Sequence, residues 1–296
     1  MATPVGRPNI SDSTRRPRQA SAASESAKGF SATCQKAPCW RVTANGTMPV
    51  LSVVGRSWSV VHGYAQGLRR LSDSARNQMK HGLFITLEGI DGTGKSTQLR
   101  LLVQHLKKSG LAVRVTREPG GTKVGERIRK ILLASTTTRL APLAELALIY
   151  AARAQHLQEV IRPALAKGEI VLSDRYNDAS LAYQGYGREL GVETVLAFDR
   201  IICARTQPDL TIVLDLAPRL SLERAQGRQS RRKSTQERFE LQGVNFHKRV
   251  REGYLAIARK EPRRVKVVQA DGPVAEVQAE ICKLVDTFLA RRLKRF

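Results

Sequence analysis

The chain is predicted to be an α/β protein, with helices on both sides of a five-stranded parallel sheet and a mobile lid, and three observations predict it. Five short apolar, β-branched runs recur along the C-terminal three quarters of the sequence. The stretches between them are helical in pattern and long enough for parallel crossovers. A glycine-rich loop joins the first run to the first helix, as in phosphate-binding strand–loop–helix units.

Each element follows in order. Leu83-Phe-Ile-Thr-Leu-Glu88 is the first strand, and the next helix carries Leu99, Leu102, Val103 and Leu106 on one face before ending near Gly110. Ala112–Thr116, Ile170–Ser173, Leu210–Leu216 and Val265–Val268 supply the other four strands. The last helix has Val277, Ile281, Leu284, Val285 and Phe288 at helical spacing. Its basic tail, Arg291 to Arg295, suits the negative end of the helix dipole and reads as a solvated helix end.

Residues 1–78 are a different material, rich in Ser, Ala, Arg and Gly, with eleven basic residues against three acids, Asp12, Glu25 and Asp73. No apolar period is sustained, and five prolines interrupt any helix, so this part is expected to be a disordered basic extension. It is either an organellar transit peptide or translated upstream sequence ahead of a start at Met79; its weak amphipathicity favours the second. The ordered domain is expected over 79–296.

Composition excludes several classes. At 42% hydrophobic and 26% charged residues the chain can bury a sizeable core. No run approaches the roughly 18 apolar residues of a membrane span. Four scattered cysteines, Cys34, Cys39, Cys203 and Cys282, form neither a disulfide framework nor a zinc pattern, and read as reduced thiols in a cytoplasmic setting. The net charge of +24 favours anionic partners, with phosphorylated metabolites and nucleic acid both eligible.

Gly89-Ile-Asp-Gly-Thr-Gly-Lys-Ser96 has the G-x-x-x-x-G-K-S spacing in the strand–helix context it requires. Backbone N–H groups of such a loop turn inward around phosphate oxygens, Lys95 can bridge the transferred phosphate, and Ser96 can ligate Mg²⁺. An ATP-type phosphoryl donor and Mg²⁺ follow. The base-reading N-K-x-D segment of GTPases and the Asp-Glu strand of longer motors are both missing from the sequence, which leaves a P-loop kinase first and a basic nucleic-acid-binding ATPase second. Asp174 and Arg175, in Ser173-Asp-Arg-Tyr176, close the third run, where open α/β sheets bind ligands. The carboxylate there can hold Mg²⁺ through water and the arginine can fork onto phosphate.

With the phosphate loop, Thr116-Arg-Glu-Pro-Gly-Gly-Thr122, Tyr150-Ala-Ala-Arg-Ala-Gln-His156, Asp174-Arg-Tyr176 and Leu181-Ala-Tyr-Gln-Gly185 stand in the order and spacing of bacterial thymidylate kinases. The chain resembles that family from about His81 to Arg291. Adenylate and guanylate kinases share the loop but not these other segments. The resemblance implies phosphorylation of dTMP by MgATP for dTTP synthesis, a homodimer, and no membrane or nucleic-acid partner. ATP would lie on Gly89, Ile90, Asp91, Gly92, Thr93, Gly94, Lys95, Ser96, Thr97 and Arg224. Asp91 would hold the dTMP 3′-hydroxyl, and Arg175, assisted by Arg129, its phosphate; Arg153 would meet a thymine carbonyl, with Ser180 and Gln184 lining the base pocket. Tyr183 would lie against the sugar and exclude a 2′-hydroxyl, and Glu118-Pro119 matches the family's cis-proline turn.

One departure from that pattern matters. Where the family usually stacks an aromatic ring on thymine, four positions before Arg153, this chain has Ile149, which predicts weaker dTMP affinity. The polar segment at about 226–240 is expected to be the lid, with Arg238 supplying the arginine that stabilises the transferring phosphoryl group, since the loop here has Gly92 in place of a basic residue. Lys95, Asp174, Arg175 and Arg238 are thus the expected catalytic set.

Overall fold

The computed structural model describes residues 81–134, 140–232, 239 and 242–293, with backbone only for 228–232 and 293. Strand β1 (Leu83–Glu88) is followed by α1 (Lys95–Lys108), β2 (Val113–Arg117), α2 (Lys123–Leu133) and α3 (Pro142–His156). Helix α3 passes through a wide π-helical turn, Leu157–Ile161, into α4 (Arg162–Ala166). Then come β3 (Ile170–Asp174), α5 (Asn177–Ser180) with a second π-helical turn over Leu181–Gly187, α6 (Val192–Ile202), β4 (Leu210–Asp215), α7 (Pro218–Arg232), α8 (Val244–Lys260), β5 (Val265–Gln269) and α9 (Val274–Leu293).

The five strands pair in parallel in the order β2-β3-β1-β4-β5, so β1 is central and its neighbours are β3 and β4. The two-residue period of β1 decides what lies on each face. Leu83, Ile85 and Leu87 pack with Leu99, Leu102 and Leu106 of α1 and with Val277, Ile281 and Val285 of α9. Phe84 faces the other way, into a cluster with Tyr150, Ile161, Val171, Val195, Tyr254 and their neighbours. Thr86 and Glu88 share that second face by alternation. Both are buried, and both are partnered: Thr86 bonds Thr211 at 2.9 Å, and Glu88 accepts from the Tyr176 N–H and the Tyr254 hydroxyl.

Local chemistry explains the helix starts. Thr122 caps α2, its hydroxyl accepting from the Gly125 N–H at 2.9 Å, and Pro142 opens α3 where its missing N–H costs nothing. The expected strands are found with ends shifted by a residue, Val113–Arg117 in place of Ala112–Thr116 for example. The expected lid differs more: its start, through Arg232, continues helix α7. Of the tail arginines, Arg291 is exposed, whereas Arg292 bonds Asp209 at 2.6 Å and so is not merely solvated. No helix among the described residues is long and apolar enough to cross a membrane.

Candidate active site

The site forms where β1 and β3 end side by side, with Leu87 and Asp174 in register. From β1 the chain turns through the phosphate loop into α1, the turn resting on left-handed backbone at Gly89, Gly92 and Gly94. Gly92 has a second constraint. A Cβ there, at φ 94°, would run into the Ser221 carbonyl oxygen of α7, so no larger side chain has room at this position. Lys95 folds back to donate to the carbonyls of Gly89 (3.0 Å) and Ile90 (2.9 Å), which braces the loop. Burial and the nearby Arg175 push its ammonium down to about 8.

Arg175 follows β3 with a left-handed φ of 73°, unusual for a residue with a side chain. Its guanidinium donates to Asp91 (2.7 Å), to the Tyr183 hydroxyl (3.0 Å) and to the Tyr254 hydroxyl (3.1 Å). The Tyr183 hydroxyl in turn donates to Asp91 (3.2 Å), and the Tyr254 hydroxyl to Glu88 (2.8 Å). Burial opposes ionisation of Asp91, but Arg175 and Lys95 outweigh it and hold the carboxyl well below the usual range. Glu88, lacking so direct a cation, is pushed up to about 8 by burial and by Asp178. Of the five N–H groups of Arg175, three are used, which leaves Nε–H and one on Nη1 for an anion.

The opposite end is built on α3, where residues four apart share a face. Glu145, Ile149 and Arg153 all lie on it. Arg153 is only 1% exposed and donates to Glu118 (2.7 Å), Asn177 (3.1 Å), the Tyr176 carbonyl (3.0 Å) and the Ser180 hydroxyl (2.9 Å), leaving one Nη1 hydrogen. Glu118 also receives His156 at 2.9 Å, and burial notwithstanding, Arg153 and His156 hold it below its ordinary value. The Glu118-Pro119 peptide is cis, and the Pro119 carbonyl accepts from Arg129 at 2.9 Å. Tyr150 turns away into the core, its ring under the Arg153 guanidinium.

One cavity joins the two ends. All ten residues expected on the acceptor nucleotide line it: Asp91, Glu118, Pro119, Arg129, Ile149, Arg153, Arg175, Ser180, Tyr183 and Gln184. Leu133, Tyr176, Ala179 and Phe239 line it too and were not expected. Tyr176 and Ala179 lie within or beside recognised motifs, but Leu133 and Phe239 come from segments with no pattern of their own. Arg224 is not in this wall; its fork holds the carbonyls of Ala270 (2.8 Å) and Asp271 (3.3 Å) beyond β5. Ser96 and Asp174 meet below the loop, the serine hydroxyl 3.4 Å from one carboxylate oxygen. Arg238 lies outside the described residues, as do residues 233–237 and 240 of the expected lid.

A lysine-braced phosphate loop at the carboxyl edge of a parallel sheet, opening on a cavity with an arginine at each end, defines a phosphotransferase of the nucleoside monophosphate kinase class. The family model for thymidylate kinase matches residues 87–281. The thymidylate kinase of Symbiobacterium thermophilum is 45% identical over 212 residues, covering 72% of this chain and 96% of that protein. That of Syntrophotalea carbinolica is 49% identical over 195 residues, 66% of this chain and 90% of its own. The crystal structure of thymidylate kinase from Ehrlichia chaffeensis superposes with a TM-score of 0.55 at 31% identity, covering 69% of this chain and 98% of that one. The chain belongs to the thymidylate kinase family.

Proposed function

We propose that this enzyme transfers the γ-phosphoryl group of MgATP in line to dTMP, giving ADP and dTDP for dTTP synthesis and DNA replication. The observation that carries the reading is the single cavity with Asp91 and Arg175 at its phosphate-loop end and Arg153 and Gln184 at its far end. A nucleotide laid along it with its phosphate toward the loop would meet Arg175 there and Arg153 and Gln184 at its base, which supports the reading.

A phosphate dianion is already a nucleophile, so no general base is required; the protein positions the reactants and neutralises charge. Arg175 offers its two unused N–H groups to the acceptor phosphate, with Arg129 beside it. Asp91, ionised, accepts from the 3′-hydroxyl, and Tyr183 packs against the sugar. Lys95 exchanges its loop carbonyls for donor phosphate oxygens, and Arg238 is assigned the lid contact to the transferring group. Glu118 and Pro119 hold Arg153 and Arg129 in place. The residues suit Mg²⁺: Asp174 Oδ1 is buried without a hydrogen-bond partner, and Ser96 supplies a second hard oxygen. Bound by Ser96 and Asp174, the ion would supply charge neutralisation on the donor phosphates.

The ordered kinase domain is assigned to 79–296 with its lid at about 226–240, preceded by a basic extension. A homodimer fits the exposed Ile131 and Leu143 on neighbouring helices α2 and α3. A cytoplasmic enzyme with nucleotide partners, and no membrane or nucleic acid, completes the reading. It is tested by ADP release from MgATP with dTMP, UMP, AMP or single-stranded DNA as sole addition, using the full chain and residues 79–296 in parallel. Turnover with dTMP well above UMP, by both proteins, is expected. Turnover stimulated by DNA alone would overturn it in favour of a nucleic-acid-dependent ATPase.

A further inference from the structure

Gln184 is 2% exposed, and the polarity of its amide is set from behind. Its Nε2 donates to Glu145 Oε1 at 2.8 Å, which turns Oε1 away, toward the cavity that Gln184 lines. A carboxylate paired with a cation only accepts, so it tolerates the nitrogen and not the oxygen of an amide at that distance. Glu145 itself is fully buried and cannot swing aside. Arg188 donates from Nε to Oε1 at 3.2 Å and sets its charge against Oε2, which lies 3.1 Å from Nη2 as an ion pair without a hydrogen bond, and Arg188 is in turn held by Gln242 Oε1 at 2.9 Å and by the Phe246 ring 4.8 Å away.

We propose that Glu145, through Gln184, is the positioning residue that makes this site select a pyrimidine with an N3–H group. The inference rests on the dTMP reading above. With the amide fixed, the base end of the cavity offers one donor, the unused Nη1 hydrogen of Arg153, beside one acceptor, Gln184 Oε1. A thymine or uracil edge presents the complement, a carbonyl oxygen beside N3–H. A cytosine edge presents the reverse, an amino group beside a bare N3, and meets donor with donor and acceptor with acceptor. Were Gln184 to flip and accept cytosine, its oxygen would face Glu145 Oε1. The part of the discrimination read at N3 therefore resides in a residue that need not touch the base, while Arg153 opposes the cytosine amino group in either orientation of Gln184.

The experiment compares kcat/KM for dTMP and dCMP on the full chain, wild type and Glu145→Gln. An amide at 145 can present either its oxygen or its nitrogen to Gln184, so the dTMP-to-dCMP ratio is expected to fall by roughly tenfold or more. The ratio is taken on one preparation, so any loss of folded protein cancels, whereas a purely structural role would lower both substrates alike and leave it unchanged. If Glu145→Gln gives no soluble protein, Glu145→Asp keeps a carboxylate for Arg188 while withdrawing it from Gln184, and the same fall is expected. An unchanged ratio overturns the proposal while the dTMP reading stands. A wild-type enzyme inactive on dTMP removes both.

Discussion

Arg175 is the residue on which most of the site converges. A side chain at φ 73° is costly and persists only where surroundings fix it; here Asp91, Tyr183 and Tyr254 all bond its guanidinium. Arg175→Ala is expected to lower kcat/KM for dTMP by about 10² or more while circular dichroism and melting temperature stay near wild type; near-normal turnover would remove Arg175 from the mechanism. Ile149, 8% exposed in the cavity wall, gives apolar contact without ring stacking. Ile149→Phe is expected to lower the dTMP dissociation constant several-fold, since an aromatic pair adds about 0.5 to 1.5 kcal/mol, and no gain in affinity would contradict this. These positions were legible because each sits in a contiguous motif. Glu145, Glu88 and Tyr254 were not: Glu145 meets Gln184 across 39 residues and Tyr254 meets Glu88 across 166, and no local pattern marks such pairs.

At the scale of elements, the central strands were legible as continuous apolar runs because both their faces are buried, and α1 and α9 by period 3.6 because each buries one face. They did not foresee the π-helical turns at Leu157–Ile161 and Leu181–Gly187, whose extra residue is accommodated by packing and not by composition. Nor did polarity reveal that α7 runs on to Arg232: polarity reports what is buried, while its Gln and Arg residues are good helix formers. The seam between α1 and α9 yields a pH prediction. His105 bonds Asp286 at 2.8 Å, and that bond, with one to Cys282, raises its pKa from 6.5 to about 10. A raised folded-state value means stabilisation fully present below pH 6.5 and lost as pH rises through about 10. The His105 imidazole should therefore remain protonated at pH 8 by NMR, and Asp286→Asn should return its midpoint to near 6.5; a wild-type midpoint between 6 and 7 would contradict the assignment.

Across the whole molecule, the +24 charge suggested anionic partners without choosing among them. The structure shows how some of it is used. Arg153, Arg175, Arg251 and Arg264 each pair with a carboxylate, and the first two do so in the cavity wall. Two buried guanidinium groups facing one cavity suit a small phosphorylated substrate, as proposed above, better than a broad nucleic-acid surface. Phosphoryl transfer to dTMP is read out by resolving the nucleotides of a single reaction of the full chain with MgATP and dTMP. One dTDP is expected for each ADP formed. ADP released with inorganic phosphate, and no dTDP, would contradict it.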